Sequence, residues 1–142
     1  MEPLCSLIGV IPSTLTFGEN ILLESELFLR ICDELKEIFK MQHKEYFRLL
    51  RLTIEKENTM LESNLARLVI QDILFTGEYT LEGIAHYTQM HEDVIQEIFS
   101  GLNQNPSAIL LRKIIELHRK VRYDLYCSLA KKIISKYLSM VR

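Results

Sequence analysis

From Asn20 to Thr76 the chain contains neither glycine nor proline, and from Ser107 to its last residue it again contains neither. Strand-rich domains need those residues at their frequent tight turns, so two long stretches without them argue for helices. The whole chain of 142 residues holds only 5 Gly and 3 Pro, in a background rich in Leu, Ile, Lys and Glu, which are good or acceptable helix formers. At 16.7 kDa it is the size of one domain and can bury a core without disulfides or metal. A hydrophobic content of 48% with 25% charged residues excludes a disordered tail, a collagen-like chain and a small disulfide scaffold. The fold class expected is all-α.

Apolar spacing divides the chain further. Residues 1–19, with Gly9, Pro12 and Gly18, read as an irregular segment; the alternation over Thr14 to Phe17 is a weak strand signal. Asn20 is a plausible cap for a helix over about 20–39, in which Leu23, Leu27, Ile31, Leu35 and Ile38 form one stripe. Tyr46, Leu49, Leu50 and Ile54 form a similar stripe over about 44–57, either as a second helix or as a continuation of the first. A helix over about 60–75 ends at Gly77, and two short helices follow, about 81–88 and 92–100. Asn105 as cap and Pro106 at the first helical position open residues 107–142, one very long helix or two broken near Arg122. Its stripe runs through Leu111, Ile114, Ile115, His118, Val121, Leu125, Leu129, Ile133 and Tyr137.

The formal net charge is −2, which by itself points to neither nucleic acid nor membrane. The charge is unevenly spread, however. Residues 102–142 carry nine basic side chains against Glu116 and Asp124, so this stretch is the candidate surface for a polyanion. Cys5, Cys32 and Cys127 are odd in number and far apart, the usage of buried thiols in a reducing compartment. The apolar stretch Leu4 to Leu15 has no basic region before it and is interrupted by polar and breaker residues, unlike a signal peptide. No run of 18 apolar residues is present, so no membrane span is expected and the location expected is cytoplasmic.

The most specific pattern lies between Thr80 and Ser107. Thr80 is placed to cap a short helix in which Ile84 and the small Ala85 face inward. Met90 then plugs a tight turn. Ile95 and Ile98 are the inward pair of a second short helix, and Gly101 supplies its left-handed stop. Two short helices crossing over a small residue have the physics of a helix-turn-helix. With Pro106 and Ser107 opening the next helix, this pattern resembles the lambda-repressor-like, Cro/repressor-type helix-turn-helix family over roughly residues 61–119. The resemblance implies a five-helix domain, with the helices at about 61–75 and 107–119 as its first and last. It also implies sequence-specific DNA binding through the helix that starts at Glu92.

The candidate DNA-contacting residues carried by that resemblance are Glu92, Asp93, Gln96 and Glu97 on the recognition-like helix. Asn103, Gln104, Asn105 and Ser107 follow in the loop and at the next helix start, with Arg112 and Lys113 adding positive charge. Gln is suited to adenine and a carboxylate can accept from cytosine, while small polar groups at a helix start suit phosphate. The chain departs from the family at Gln89, where the turn usually has Gly, at Leu81, at Phe99, and in the acidic character of Glu92, Asp93 and Glu97. Acidic residues in a first turn also suit the helix dipole without any ligand.

Enzymatic chemistry is not expected. His91-Glu92 begins an HExxH string that fails at Ile95, and Glu82 with His86 lacks a third metal ligand. No phosphate-binding glycine loop or nucleophile elbow is present, and no cofactor or metal is expected. The organisation expected is an irregular segment over 1–19, an N-terminal helical region over 20–58, the repressor-like domain over 59–120 and a C-terminal helical extension over 121–142. The function expected is a DNA-binding transcriptional regulator acting as a homodimer, with Tyr123, Leu125, Tyr126, Leu129 and Ile133 either as the dimer seam or, almost equally, buried within their own monomer. The alternative is a protein-interaction module that keeps the same scaffold and binds a protein partner through its acidic face.

Overall fold

The structure, a computed structural model, describes residues 3–141, with side chains placed as far as Lys136. The Tyr137 side chain and Arg142, which belong to the expected stripe and basic count, lie outside the described residues. Among the described residues there are eight α-helices and no strand. They are α1 (Phe17–Gln42), α2 (Lys44–Leu50), α3 (Ile54–Ser63), α4 (Leu65–Phe75), α5 (Leu81–Thr88), α6 (Glu92–Phe99), α7 (Ala108–Val121) and α8 (Tyr123–Val141). The helices separate into two compact units. One takes in the chain up to Leu35 together with the chain from Asp124 onward, and the other is Lys36–Tyr123.

The strand signal at Thr14–Phe17 is not realised. Leu4–Ile8 and Pro12–Thr14 are short 3₁₀ turns, and Thr16 caps α1. Thr16 Oγ1 accepts from the Glu19 amide at 3.2 Å while Glu19 Oε1 accepts from the Thr16 amide at 3.0 Å, a reciprocal capping box. Asn20, expected as the cap, lies inside the helix and donates from Nδ2 to the Pro12 carbonyl instead.

In the first unit, Leu27, Ile31 and Leu35 of α1 are buried, as are Tyr126, Leu129 and Ile133 of α8. Glu34 is buried as well and pairs with Lys132 at 2.9 Å and with Lys136. Burial pushes the Glu34 carboxyl up, but the two ammonium groups outweigh it and hold the acid below its ordinary range. Of the two expectations for the Tyr123–Ile133 cluster, burial within its own chain holds for most of it. Tyr126, Leu129 and Ile133 are already buried within their own chain, leaving Tyr123 as the exposed member.

In the second unit, the helix expected over 44–57 breaks at Arg51, which holds a left-handed φ of 52°, and α3 restarts under a cap by Thr53. The stripe Tyr46, Leu49, Leu50 and Ile54 faces solvent, with Leu49 80% exposed, and Phe47 is the buried residue of α2. The helix expected over 60–75 is two helices joined at Asn64. There, Nδ2 of Asn64 takes the Met60 carbonyl at 2.8 Å, a local bond that competes with the helix ladder. The expected stretch after Pro106 forms two helices, α7 (Ala108–Val121) and α8 (Tyr123–Val141), separated at Arg122. Ser107, not Asn105, caps α7, its Oγ accepting from the Leu110 amide at 3.1 Å. α4 packs against α6 and α7, and α5 packs against α6 and α7, so these four helices share one core.

Candidate nucleic-acid interface

α5 and α6 are joined by Gln89, Met90 and His91. Thr80 caps α5 by accepting from the Gly83 amide at 3.1 Å. The helix ends in a Schellman motif: the Met90 amide reaches the Ala85 carbonyl at 3.0 Å and the Gln89 amide the His86 carbonyl at 3.2 Å. Gln89 therefore holds φ 57°, a conformation in which glycine avoids the Cβ clash. His91 caps α6, its Nδ1 accepting from the Asp93 amide at 3.2 Å. At the far end Gly101 takes φ 85° and its amide reaches the Ile98 carbonyl.

Ile84, Ala85, Ile95 and Ile98 are buried, as the spacing predicts. Each fully buried isoleucine contributes about 1.5–3 kcal/mol over leaving it in water, enough to fix which face of α6 turns outward. That outward face carries Glu92, Asp93, Gln96 and Glu97, all exposed. Gln96 Nε2 lies 3.5 Å from Glu92 Oε1, one turn back on the same face. Gln104, Asn105 and Ser107 are exposed, while Asn103 is half-buried and its Oδ1 accepts from the Asn105 amide at 3.0 Å.

The cations expected to supply phosphate attraction are engaged within the chain. Lys113 Nζ donates to the Thr88 carbonyl at 3.2 Å, closing the C-terminal end of α5. Arg112 faces Glu116 at 3.8 Å. Burial pushes the Glu116 carboxyl up against the pull of Arg112 and Arg119. The same holds further along: Arg122 pairs with Asp72, Lys120 lies 5.7 Å over the Tyr87 ring, and Lys132 and Lys136 take Glu34. Most of the basic count of residues 102–136 is therefore matched inside the chain rather than gathered on one open face. Arg112 and Glu116 stand four apart on one helix, but spacing gives no signal of the other pairings, because their partners are distant in sequence.

Compared with known proteins, the chain matches no family model, no curated protein and no solved structure.

The stripe places His118 inward, but its partner Asp72 and the surroundings of Arg67 escaped sequence reasoning. His118, fully buried on α7, meets Asp72 of α4 with Nε2 to Oδ2 at 2.6 Å. An ionised carboxylate only accepts, so the proton sits on Nε2. The hydrogen bond from His118 outweighs burial and, helped by Arg122, holds the Asp72 carboxyl below its ordinary value of 3.8. Arg67 of α4 has a buried Nε without a hydrogen-bond partner. Its Nη1 lies 3.4 Å from where a Cβ on Gly101 would sit. Glu82 and His86, the incomplete metal pair, are both exposed, and among the described residues no three His, Cys, Asp or Glu side chains group as a metal site requires. No described helix is long and apolar enough to cross a membrane.

Proposed function

We propose that the chain is a cytoplasmic, sequence-specific DNA-binding regulator in which α5 and α6 form a repressor-type helix-turn-helix and α6 enters the major groove. The observation that carries this reading is the α5–turn–α6 pair itself. Its inward residues are buried, and its outer face presents Gln96 between carboxylates with no apolar side chain competing for that surface. α4 and α7 brace the pair as the first and last helices of such a domain would.

The acidic face gives the reading a specific character. Glu92, Asp93 and Glu97 repel phosphate, and Arg112 and Lys113 are held elsewhere, so the sequence-independent electrostatic part of binding is small. Affinity then rests on base-edge contacts, with Gln96 on adenine and a carboxylate on the cytosine amino group. A second half-site strengthens such binding, and the protein acts as a homodimer. The exposed apolar side chains Tyr46, Leu49, Leu50 and Ile54 supply the seam in place of the buried α8 cluster. A gel shift of the full chain on random duplex DNA across a salt series tests this reading. Weak binding at low salt with a shallow salt slope is expected, and a total absence of binding at the lowest salt contradicts it.

The second reading is a protein-interaction module on the same scaffold. Three exposed carboxylates on one short helix, with Arg112 and Lys113 of α7 engaged by Glu116 and the Thr88 carbonyl, favour a basic protein partner. On that reading, neutralising Glu92 and Asp93 abolishes partner binding rather than improving binding to DNA.

A further inference from the structure

A cleft of about 320 Å³ opens beside α2, α3 and α4 in the second unit. Its volume falls at the small end of the range for ligand clefts, about 300–1,000 Å³. Phe47, Met60, Leu61 and Leu68 make its apolar wall. Phe47 and Leu61 are buried and form a fixed floor, while Met60 and Leu68 are half-buried and still present surface to a guest.

Among the polar liners, Arg67 decides the chemistry. Arg67 is the arginine among the lining residues, His43 lines the cleft with it, and no carboxylate or lysine is among them. The Arg67 Nε is buried without a hydrogen-bond partner. An unpartnered buried donor on a charged group is costly, and an anion seated against the guanidinium lowers that cost. The adjoining cleft of about 380 Å³ differs in this respect, because its charged liners Asp72 and Arg122 already face each other at 3.5 Å. Asn64 and Gln71, also lining the first cleft, add neutral hydrogen-bonding groups beside the guanidinium.

We propose that this cleft binds a small amphipathic carboxylate, its head on the Arg67 guanidinium and its apolar body along Met60 and Leu68 over the Phe47–Leu61 floor. A single arginine without a lysine beside it suits a monoanion. The planar carboxylate matches the two-pronged guanidinium, whereas a phosphate dianion calls for more positive charge than the cleft holds. The apolar wall adds affinity in proportion to the hydrocarbon it removes from water. The assignment is independent of whether α6 reads DNA.

Octanoate is the probe, titrated into the full ¹⁵N-labelled chain while the Arg67 Nε–H resonance and the amides of α2–α4 are followed by NMR. The expected result is a saturable shift of the Arg67 Nε–H signal. Octylammonium, with the same hydrocarbon and the opposite charge, should bind at least about tenfold more weakly, as should octanoate to Arg67→Met, because each loses the charge-assisted bonds. Arg67→Met removes a buried unpartnered donor, so its melting temperature should be unchanged or higher, which separates lost binding from lost folding. Equal binding of octanoate and octylammonium, full affinity in Arg67→Met, or inorganic phosphate binding as tightly as octanoate would each overturn the proposal.

Discussion

His118 and Asp72, 46 residues apart, meet at 2.6 Å and tie α7 to α4 through a fully buried imidazole. Removing the carboxylate takes away the acceptor of this buried bond, so Asp72→Ala should lower stability by about 1–3 kcal/mol in denaturant unfolding. The pH dependence follows from the depressed Asp72 carboxyl. Its stabilising contribution is complete above the ordinary value of 3.8 and is lost as pH falls through the lower folded-state value. The stability gap between the parent and Asp72→Asn should therefore be present at about pH 5–6 and close below about pH 4. A gap that stays constant down to pH 2 would show that the pair is not ionised in the folded chain.

Two left-handed positions flank α6, one filled well and one poorly. Gly101, at φ 85°, should resist substitution: Gly101→Val should cost about 1 kcal/mol or more, since a β-branched residue is strained there. Gln89, at φ 57°, carries a Cβ penalty that glycine lacks, so Gln89→Gly should raise stability by up to about 1 kcal/mol. Thermal melts of both variants check the pair of signs, and a destabilised Gln89→Gly would mean the Gln89 side chain makes a compensating contact.

Lys113 separates a structural role from a DNA-contacting one. Because its Nζ closes the end of α5 at the Thr88 carbonyl, Lys113→Ala should cost about 0.5–1.5 kcal/mol of stability. It should leave the salt slope of DNA binding nearly unchanged. A slope reduced by about one unit without loss of stability would return Lys113 to the phosphate contacts.

The same distinction explains how far the sequence could be read. Buried Ile84, Ala85, Ile95 and Ile98, the cap at Thr80 and the stop at Gly101 were legible because each is set by local spacing or by a backbone demand within a few residues. The N-caps at Thr16 and Ser107 were misplaced onto Asn20 and Asn105, four and two residues away, because several small polar residues stood near each helix start. The stripe of Tyr46, Leu49, Leu50 and Ile54 is regular in the sequence, yet it faces solvent. Periodicity reveals an apolar face but not whether another element covers it, and the break at Arg51 disrupts the phase. Asp72 with His118, and Lys113 with Thr88, were invisible because nothing local couples residues so far apart.

Charge on α6 gives a further expectation. Replacing Glu92 and Asp93 by Gln and Asn removes two exposed carboxylates from the face that would approach phosphate. Non-specific DNA binding of that double variant should tighten and its salt slope should steepen, as gel shifts at two salt concentrations would show. Unchanged non-specific affinity would place this face away from the nucleic acid.

The most direct test selects bound duplexes from a random pool with the full chain at low salt, then measures the enriched sequence against Gln96→Ala. Gln96 is exposed on the outer face of α6, where a base-contacting side chain must be. The account predicts an enriched motif, and a loss of about 1–3 kcal/mol for Gln96→Ala on that motif with little change on random DNA. Selection that yields no motif, or a motif that Gln96→Ala binds as tightly as the parent does, would contradict it.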